Sequence, residues 1–449
     1  VGTKGKGKDG SGGDGGRGGK GDTDGNGNRG DADKPHADCK DCMGRSGFSI
    51  GFDVGDERIA QSDFSLSGAF PISWDRVYRS NFNANDEDGP LGPRWITPFT
   101  LFIQESAQGL AYYSIVGRTI ETSPLALGEE RYDRSEEINW RRLDEQTLVI
   151  SQKHERFETF RKIGATYRLV SIADRVGNKI DIDYQEQGLL RSIQNDVWVV
   201  RFEHDEQRRI RRIMTDVTHD GNTVQRQLAG YQYDEAGDLV RAADEYLSER
   251  LYAYNHHLIT RYSDRTGRGI NLEWKGTEPN ARCFREYADD GSHEIVLSWD
   301  RENRLTHVTN ALGQTTTYRF DQYNYISHIY FPDGTIEERK RDDYHNIIAI
   351  VNPDGTTDRF EYDARDNLVR HIRRDNTQVS WIYNQDEQLV QVTDAMGAIW
   401  RRQYNDRQQM IRQTDPLGRV TEFTYNLAGS ATAIKDAKGG VKRVVYNNA

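Results

Sequence analysis

The residues whose types and spacing suit metal chemistry lie near the start of this sequence. The stretch DTDGNGNRGDAD offers Asp22, Asp24, Asn26 and Asp33 in the order of an EF-hand-like calcium loop. Calcium takes oxygen ligands at such positions, with a sharp glycine turn between them. The last ligand is the shorter Asp33 in place of Glu, and Arg29 stands where an aliphatic residue anchors such a loop. These departures favour a solvated Asp- and Gly-rich linker over calcium binding by the four residues.

The next candidates are Cys39 and Cys42, whose C-x-x-C spacing suits zinc, with His36 just before them. A structural zinc site takes four protein ligands. The one other cysteine, Cys283, lies 241 residues beyond Cys42, so only half a site is present. A disulfide between the pair is one alternative, and plain linker cysteines are the interpretation that we favour.

The segment that carries these candidates has the composition of a linker. Residues 1–38 hold 14 of the 42 glycines and no aromatic residue, so they bury too little apolar area to offset their backbone entropy. A G-x-G-x-x-G match at Gly10 has neither a strand before it nor a helix after it to bind a dinucleotide. We therefore expect residues 1–42 to be a flexible linker.

Catalytic patterns are missing from the rest of the sequence. Its 11 histidines include no H-E-x-x-H, and no G-x-S-x-G nucleophile elbow occurs. The pair His256-His257 lies beside a strand-like run, which favours a turn over a metal site. A net charge of −11 disfavours nucleic acid and anionic membranes as partners. We expect no catalytic residue, no cofactor and no membrane span.

Short strand-like runs form the framework from Phe48 onward. Runs such as FSLSGAF, LVISQKH and KIDIDY alternate apolar with polar residues and are separated by Gly, Asp and Asn turns. Such alternation with closely spaced turns predicts antiparallel sheet, and no amphipathic pattern of helical length lies between the runs. The sequence predicts an all-β protein.

A period of 21 residues organises the second half of the chain. An aromatic residue followed by Asp or Asn recurs at this spacing, and Arg341 fills one place where the aromatic is lost. Tyr233 and Tyr254 form an earlier pair, and the 45 residues from Tyr254 to the next member leave room for one lengthened unit. The later aromatic positions are Trp299, Phe320, Tyr362, Tyr383, Tyr404, Tyr425 and Tyr446.

Other positions keep the same phase. Fourteen residues after the aromatic stands glycine, or Asn376 in one unit, and both types tolerate the positive φ of a tight turn. The residue two before the aromatic is mostly apolar and the residue one before it is mostly polar, which predicts one buried face. Each unit is thus one hairpin, and stacked hairpins protect each other. The turn glycines are Gly313, Gly334, Gly355, Gly397, Gly418 and Gly439.

These positions resemble the YD repeats of bacterial Rhs proteins and of the related teneurin shells of animals. The stretch from Gln61 to Phe99 is similar to the segment that opens the Rhs core. It contains D-F-x-L-x-G-x-x-P from Asp63, R-x-Y-x-S from Arg76 and G-P-L-G-x-x-W from Gly89, in that order. The resemblance covers about residues 43–449 and implies a hollow cocoon in which a continuous β-sheet spirals around a cavity.

The expected fold is an all-β array of YD-repeat hairpins that spirals into part of such a cocoon, behind a disordered Gly- and Asp-rich tail. We expect a linker at 1–42, the opening region of the Rhs core at 43–130, degenerate β-rich repeats at 131–228 and YD repeats at 229–449. The autoproteolytic region of the family is not recognisable. DPLGRV at Asp415 resembles part of its D-P-x-G-L motif, but Arg419 replaces Leu, so we interpret Asp415 as part of a repeat turn.

In polymorphic toxins such as type VI secretion effectors, this family encloses a variable C-terminal toxin. The resemblance implies a structural shell segment whose cargo is a toxin module beyond this chain, with spike-tip and chaperone proteins of a type VI secretion system as partners. It implies residence in the bacterial cytoplasm before export by a non-Sec route. The alternative is an extracellular adhesion or carbohydrate-binding protein at the cell surface, whose aromatic residues and turns contact a partner.

Overall fold

Every regular element of the described chain is a β-strand. The computed structural model describes Arg45 and residues 49–115, 119–152, 155–186, 188–219 and 222–446. The prediction of an all-β protein is confirmed over these ranges, and they contain no helix that is long and apolar enough to cross a membrane. The calcium candidates Asp22, Asp24, Asn26 and Asp33 and the zinc candidates Cys39 and Cys42 lie outside the described residues.

A small antiparallel sheet opens the fold. Its strands are β1 (Arg58–Leu66), β2 (Ile72–Arg79) and β3 (Trp95–Ile96), in the order β1-β2-β3. Residues 49–99, which contain this sheet, are called the N-terminal segment below.

The other strands form one long antiparallel ribbon. Neighbours in sequence pair with each other from β7 to β36, and the hairpins of β4–β6 join the ribbon where β4 pairs with β11. The strands before the regular repeats are β4 (Phe102–Ser106), β5 (Gly109–Tyr113), β6 (Thr119–Thr122), β7 (Glu130–Asp133), β8 (Ile138–Arg142), β9 (Thr147–Gln152), β10 (Arg156–Ile163), β11 (Thr166–Asp174), β12 (Lys179–Tyr184), β13 (Leu190–Gln194), β14 (Val199–His204), β15 (Ile210–His219), β16 (Asn222–Tyr233), β17 (Leu239–Asp244), β18 (Glu249–Asn255), β19 (Leu258–Ser263), β20 (Gly269–Lys275) and β21 (Arg282–Ala288).

The regular repeats supply two strands each, and their bounds follow the 21-residue period. The aromatic position ends one strand, or stands next to its end, and the apolar residue six places later begins the following strand. These strands are β22 (Ile295–Asp300), β23 (Leu305–Asn310), β24 (Thr315–Phe320), β25 (Ile326–Tyr330), β26 (Ile336–Arg341), β27 (Ile347–Val351), β28 (Thr357–Tyr362), β29 (Leu368–Ile372), β30 (Gln378–Tyr383), β31 (Leu389–Thr393), β32 (Ile399–Tyr404), β33 (Met410–Thr414), β34 (Val420–Tyr425), β35 (Ala431–Lys435) and β36 (Val441–Arg443).

The ribbon returns to itself after slightly more than twenty strands. In the β7–β8 turn, Arg134 Nη2 donates to Asp366 Oδ1 of the β28–β29 turn at 2.9 Å. In the same way Arg407, between β32 and β33, donates to the carbonyl of Val176, between β11 and β12, at 2.8 Å. Because paired strands lie about 4.8 Å apart, one such winding is about 100 Å around and about 32 Å across. Successive windings therefore meet through turns at their edges, along a line that we call the seam.

The N-terminal segment packs inside the first winding. Trp74 packs against Phe202 of β14 with ring centroids 5.1 Å apart, and Phe52 packs against Tyr318 of β24 at 4.7 Å. One short segment reaches strands this far apart in the ribbon because the sheet curves around it. The main core is thus formed by the concave, inner face of the ribbon and this segment.

Arg76 of β2 anchors the segment to its own sheet and to the ribbon. Its guanidinium is fully buried and binds both carboxylate oxygens of Asp63, at 2.5 and 2.9 Å. The same carboxylate accepts the hydroxyl of Tyr231 at 2.6 Å, and the Trp95 ring lies 4.9 Å from the guanidinium carbon. A buried ion pair needs this bidentate and hydrogen-bonded geometry to offset the loss of its hydration.

Candidate functional site: the hairpin turns and the inner face

The Asp or Asn after each aromatic residue closes the turn that follows. Asp363 Oδ1 accepts the backbone N–H groups of Arg365 and Asn367 at 2.9 and 3.0 Å. Asn384 and Asn405 form the same pair of bonds in the next two units. This Asx geometry requires one acceptor oxygen and no charge. Asp and Asn can therefore replace each other after the aromatic residue, because both supply this acceptor oxygen.

A β-bulge and a hydroxyl bond join each hairpin to the one before it. Opposite Tyr383 the partner strand has an extra residue, Val390, next to Leu389. The carbonyl of Leu389 accepts the hydroxyl of Tyr404, from the following unit, at 2.8 Å. Equivalent bonds, each fifteen residues back along the chain, join Tyr184 to Leu169, Tyr254 to Leu239, Tyr362 to Ile347, Tyr425 to Met410 and Tyr446 to Ala431.

The same geometry reveals the aromatic residue of the lengthened unit. Trp274 Nε1 donates to the carbonyl of Ile259 at 2.7 Å, again fifteen residues back, and a bulge precedes Trp274. The sequence period misses it because Trp274 is followed by Lys275 and lies 20 residues after Tyr254. The spacing of the bond, fifteen residues from an apolar residue to an aromatic, is the signal that finds this unit.

Arg341 occupies the aromatic position of one unit and keeps its geometry. The guanidinium lies over the ring of Tyr325, 4.7 Å from its centroid, and Nη1 donates to the carbonyl of His345 at 2.7 Å. The bulge between Lys340 and Arg341 is retained. Arginine supplies a flat group and a hydrogen-bond donor, as tyrosine does, so the hairpin is preserved.

Glycine forms the second turn of each unit. Gly355 has φ of 81°, and Asn376 takes its place in the next unit with φ of 63°. In this Pro-Asp-Gly-Thr turn, Asp354 Oδ1 accepts the N–H and the hydroxyl of Thr356 at 2.9 and 2.6 Å. These bonds lower the pKa of the Asp354 carboxyl because they stabilise its charged form. Pro-Asp-Gly-Thr occurs at 332–335 and at 353–356, and both stretches form this turn of the repeat.

A second positive-φ position, four residues after the aromatic, meets the neighbouring winding. Asp366 has φ of 60°, and its fully buried carboxylate holds Arg134 across the seam. Gly429 has φ of 89° and lies against Val176, whose Cγ2 stands 3.0 Å from the place of a β-carbon at 429. This position therefore contacts the adjacent winding. In one unit the contact is an ion pair, and in another it is a close van der Waals approach.

The inner face is covered in the first winding and open further along. Beneath the N-terminal segment, Tyr231 and Tyr252 are 3% and 5% exposed. In the later repeats Phe423 and Tyr425 are half-buried, and with Ile411 they line an open groove of about 860 Å³. Hairpin residues alone form the small core beside it, which comprises Leu368, Val379, Trp381 and Leu389.

Two buried carboxyl groups lie where the N-terminal segment meets the ribbon. Glu57 and Glu286 are both fully buried. Burial raises the pKa of Glu57 well above its ordinary value, and the charge of Glu286 raises it further. Burial also raises the pKa of the nearby Cys283 thiol, which leaves it protonated and unreactive. The two carboxyl groups are thus part of the buried junction between the N-terminal segment and the ribbon.

The remaining candidates have structural partners. His257 Nδ1 lies 2.8 Å from Asp238 Oδ1 in a turn. Asp415 Oδ1 accepts the N–H groups of Leu417 and Arg419 at 3.0 and 2.9 Å, as a repeat turn requires. Within the described ranges, no group of three or more His, Cys, Asp or Glu residues is placed to hold a metal ion.

Two protein families match separate parts of the chain. Residues 286–438 match the Teneurin YD-shell, and residues 49–121 match a domain of unknown function, DUF6531. The first match covers the hairpins with the bulge and the tyrosine bond, and the second covers the N-terminal segment and the hairpin of β4 and β5. Residues 286–438 are therefore YD repeats. In this YD-repeat protein the 21-residue sequence repeat and the structural repeat are the same hairpin.

Two curated toxins are similar to this YD-repeat protein. The Double-stranded DNA deaminase toxin A of Burkholderia cenocepacia (strain H111) is 23% identical over 281 residues, which are 58% of this chain and 18% of the toxin. The toxin protein Tse5 of Pseudomonas aeruginosa PAO1 is 22% identical over 303 residues, which are 58% of this chain and 22% of Tse5. The YD-repeat protein thus spans about a fifth of the length of these relatives.

Solved structures of TcdB2-TccC3 are also similar. The crystal structure without the hypervariable C-terminal region matches 85% of the YD-repeat protein and 22% of that chain, at 10% identity and a TM-score of 0.39. The Photorhabdus luminescens Tc holotoxin pore matches 85% of the YD-repeat protein and 22% of that chain, at 12% identity and a TM-score of 0.37.

Proposed function

We propose that this YD-repeat protein is a structural segment of a shell that encloses a toxin module. The observation that carries the proposal is the winding, in which the ribbon returns to itself through the contact of Arg134 with Asp366. Inside the winding the strands are joined edge to edge by backbone hydrogen bonds, so the wall has no free strand edge along its length. The similarity to two curated toxins supports a toxin as the enclosed cargo.

The N-terminal segment closes the first winding in this proposal. Its side chains fill the concave face from β14 to β24, so the space for cargo lies beside the later hairpins. The shell itself carries no catalytic residue, and the enzymatic activity belongs to a toxin module that follows the repeats. The cargo is therefore kept from its targets by the geometry of the wall.

We also infer the cellular setting from the resemblance to type VI effectors. The linker at 1–42 tethers the shell to an upstream delivery module such as a spike-tip domain, and chaperones of that system assist loading. The protein resides in the bacterial cytoplasm and is then exported by a non-Sec route. The boundaries at 43–130, 131–228 and 229–449 divide the shell into its opening region, its degenerate repeats and its regular repeats.

Electron microscopy of the natural polypeptide that contains this chain tests the proposal. We expect a hollow shell, and a module after the repeats that resists protease until the shell is denatured. The variant Arg134→Ala is the matched test, since it weakens the seam and should increase cleavage of the enclosed module. A solid particle or an extended rod, or a module that is cleaved at once in the intact protein, contradicts the proposal. Binding to glycans by such an unenclosed protein would favour the adhesion alternative.

A further inference from the structure

Strand β2 of the N-terminal segment shows how the inner face holds an extended strand. Trp74, Arg76 and Tyr78 stand on alternate residues of β2, so they point to the same side, and all three are fully buried. Trp74 Nε1 donates to the hydroxyl of Tyr231 at 2.8 Å, and the hydroxyl of Tyr78 donates to the carbonyl of His257 at 2.8 Å. The strand thus crosses the inner face with each side chain bound to a hairpin.

The ribbon residues that contact the β2 side chains occupy equivalent positions in their hairpins. Phe202 and Tyr231 stand two residues before the ends of β14 and β16, and Tyr252 stands two residues before Tyr254, the aromatic position of its hairpin. In the regular repeats the sequence predicts this place to be apolar. Trp74 packs on Phe202 at 5.1 Å between ring centroids. The guanidinium carbon of Arg76 lies 5.5 Å from the Tyr231 ring and 5.8 Å from the Tyr252 ring. Tilted ring–ring contacts and cation–π contacts therefore alternate along β2.

The later hairpins present the same position without an N-terminal segment over it. Phe360 and Phe423 occupy it and are half-buried, and Phe423 lines the groove described above. Gln409 also lines this groove and is 6% exposed, and its Nε2 has no hydrogen-bond acceptor in the described part of the chain. Its Oε1 accepts from Asn405 at 3.0 Å, which leaves Nε2 to donate. The groove therefore combines an aromatic floor with an unused donor.

We propose that the inner face from β28 to β35 binds an extended polypeptide strand that carries aromatic or arginine side chains on alternate residues, as β2 does. The face lies further along the same ribbon as the interface that β2 occupies, and Phe360 and Phe423 on it hold the same repeat position. Gln409 supplies a donor for a backbone carbonyl of that strand. This inference rests on the proposed function, because the bound strand belongs to the enclosed cargo.

A peptide with the sequence of β2 and its approach, FPISWDRVYR (residues 70–79), is the probe. Labelled peptide is titrated into the complete 449-residue chain and its fluorescence anisotropy is measured. We expect saturable binding that weakens roughly tenfold when the peptide carries Trp74→Ala and Tyr78→Ala. Equal binding of the two peptides overturns the inference.

Variants of the ribbon locate the bound peptide. Phe423→Leu and Phe360→Leu keep an apolar side chain but remove the ring, and each should weaken binding several-fold, by roughly the worth of one aromatic contact. Ile382→Ala is the matched control, because Ile382 is 51% exposed and stands at the polar position of its hairpin. A photoreactive group in place of the peptide's Trp should crosslink to residues between 357 and 435. Crosslinks confined to residues 199–263 would mean that the peptide merely replaces β2, and would overturn the inference.

The outcome is separable from that of the proposed function. If the peptide does not bind while the natural polypeptide protects its module from protease, the shell stands and this inference is wrong. If the peptide binds as expected while the module is cleaved at once, the inner face binds strands of this chemistry and the enclosure is wrong.

Discussion

The hydroxyl of Tyr404 donates a hydrogen bond to the carbonyl of Leu389 at 2.8 Å, from one hairpin to the hairpin before it. Leu389 lies beside the bulge of its strand pair, so the bond forms where the regular ladder is interrupted. The aromatic residue of the repeat therefore buries a ring and also satisfies a backbone carbonyl. This double role explains why tyrosine recurs at the position and phenylalanine is rarer.

Replacing Tyr404 with Phe should remove this bond and keep the ring. We expect the free energy of unfolding to fall by about 1 kcal/mol, the usual net worth of one such hydrogen bond. Chemical denaturation of the full chain measures the change. Tyr246→Phe is the control, since Tyr246 is 78% exposed and should tolerate the loss of its hydroxyl. An unchanged unfolding energy for Tyr404→Phe would show that the hydroxyl bond does not couple the hairpins.

Asp363→Ala should open the turn that Asp363 closes. Two backbone N–H groups lose their acceptor, and we expect a loss of about 1 kcal/mol or more in the free energy of unfolding. Asp363→Asn keeps the acceptor oxygen and should stay within about 0.5 kcal/mol of the native protein. The contrast is measured by denaturation of both variants. If Asn were as costly as Ala, charge and not turn capping would explain the repeated Asp.

Two glycines with nearly the same backbone test the seam. Gly397 has φ of 80° and open space around it, so Gly397→Ala should cost about 1 kcal/mol from backbone strain alone. Gly429 has φ of 89° and faces Val176, so Gly429→Ala should cost about 1 kcal/mol more than that, through overpacking across the seam. Thermal and chemical unfolding give both values. Equal costs would argue that the windings do not touch at Val176.

The pH dependence of the protein's stability should reveal the raised pKa of the buried Glu57 carboxyl. Its folded-state pKa is raised above the ordinary value of 4.5, so folding favours the protonated form. The contribution of Glu57 is thus fully present below pH 4.5 and is lost as the pH rises through the folded-state pKa. Glu57→Gln cannot ionise, so its melting temperature relative to the native protein should rise with pH.

The measurement is a series of melting curves between about pH 4 and about pH 9 for both proteins. Glu361→Gln is the control, because the Glu361 side chain is 52% exposed and lies at a polar hairpin position. Its difference from the native protein should be nearly constant. If the melting temperatures of Glu57→Gln and the native protein changed in parallel with pH, the raised pKa of Glu57 would be contradicted.

The regular hairpins were predictable because their signals are local. The aromatic residue, the turn glycine and the apolar residue between them lie within one 21-residue unit, and β28 ends at Tyr362 as the pattern predicts. The bulge at Val390 depends on the register between two strands, which composition does not encode. The contact of Arg134 with Asp366 joins residues 232 apart and depends on the curvature of the whole ribbon. For this reason the contacts at the seam and on the inner face could not be predicted from the sequence.

Side chains and turn carbonyls make the seam contacts described above, whereas backbone ladders join neighbouring strands from β7 to β36. Each seam contact is a single ion pair or a single hydrogen bond, whereas a ladder gives way only when several bonds break together. A force along the axis of the winding would therefore separate successive windings at the seam, while neighbouring strands within each winding stay paired. The boundary between windings is therefore the place where this wall would separate first under load.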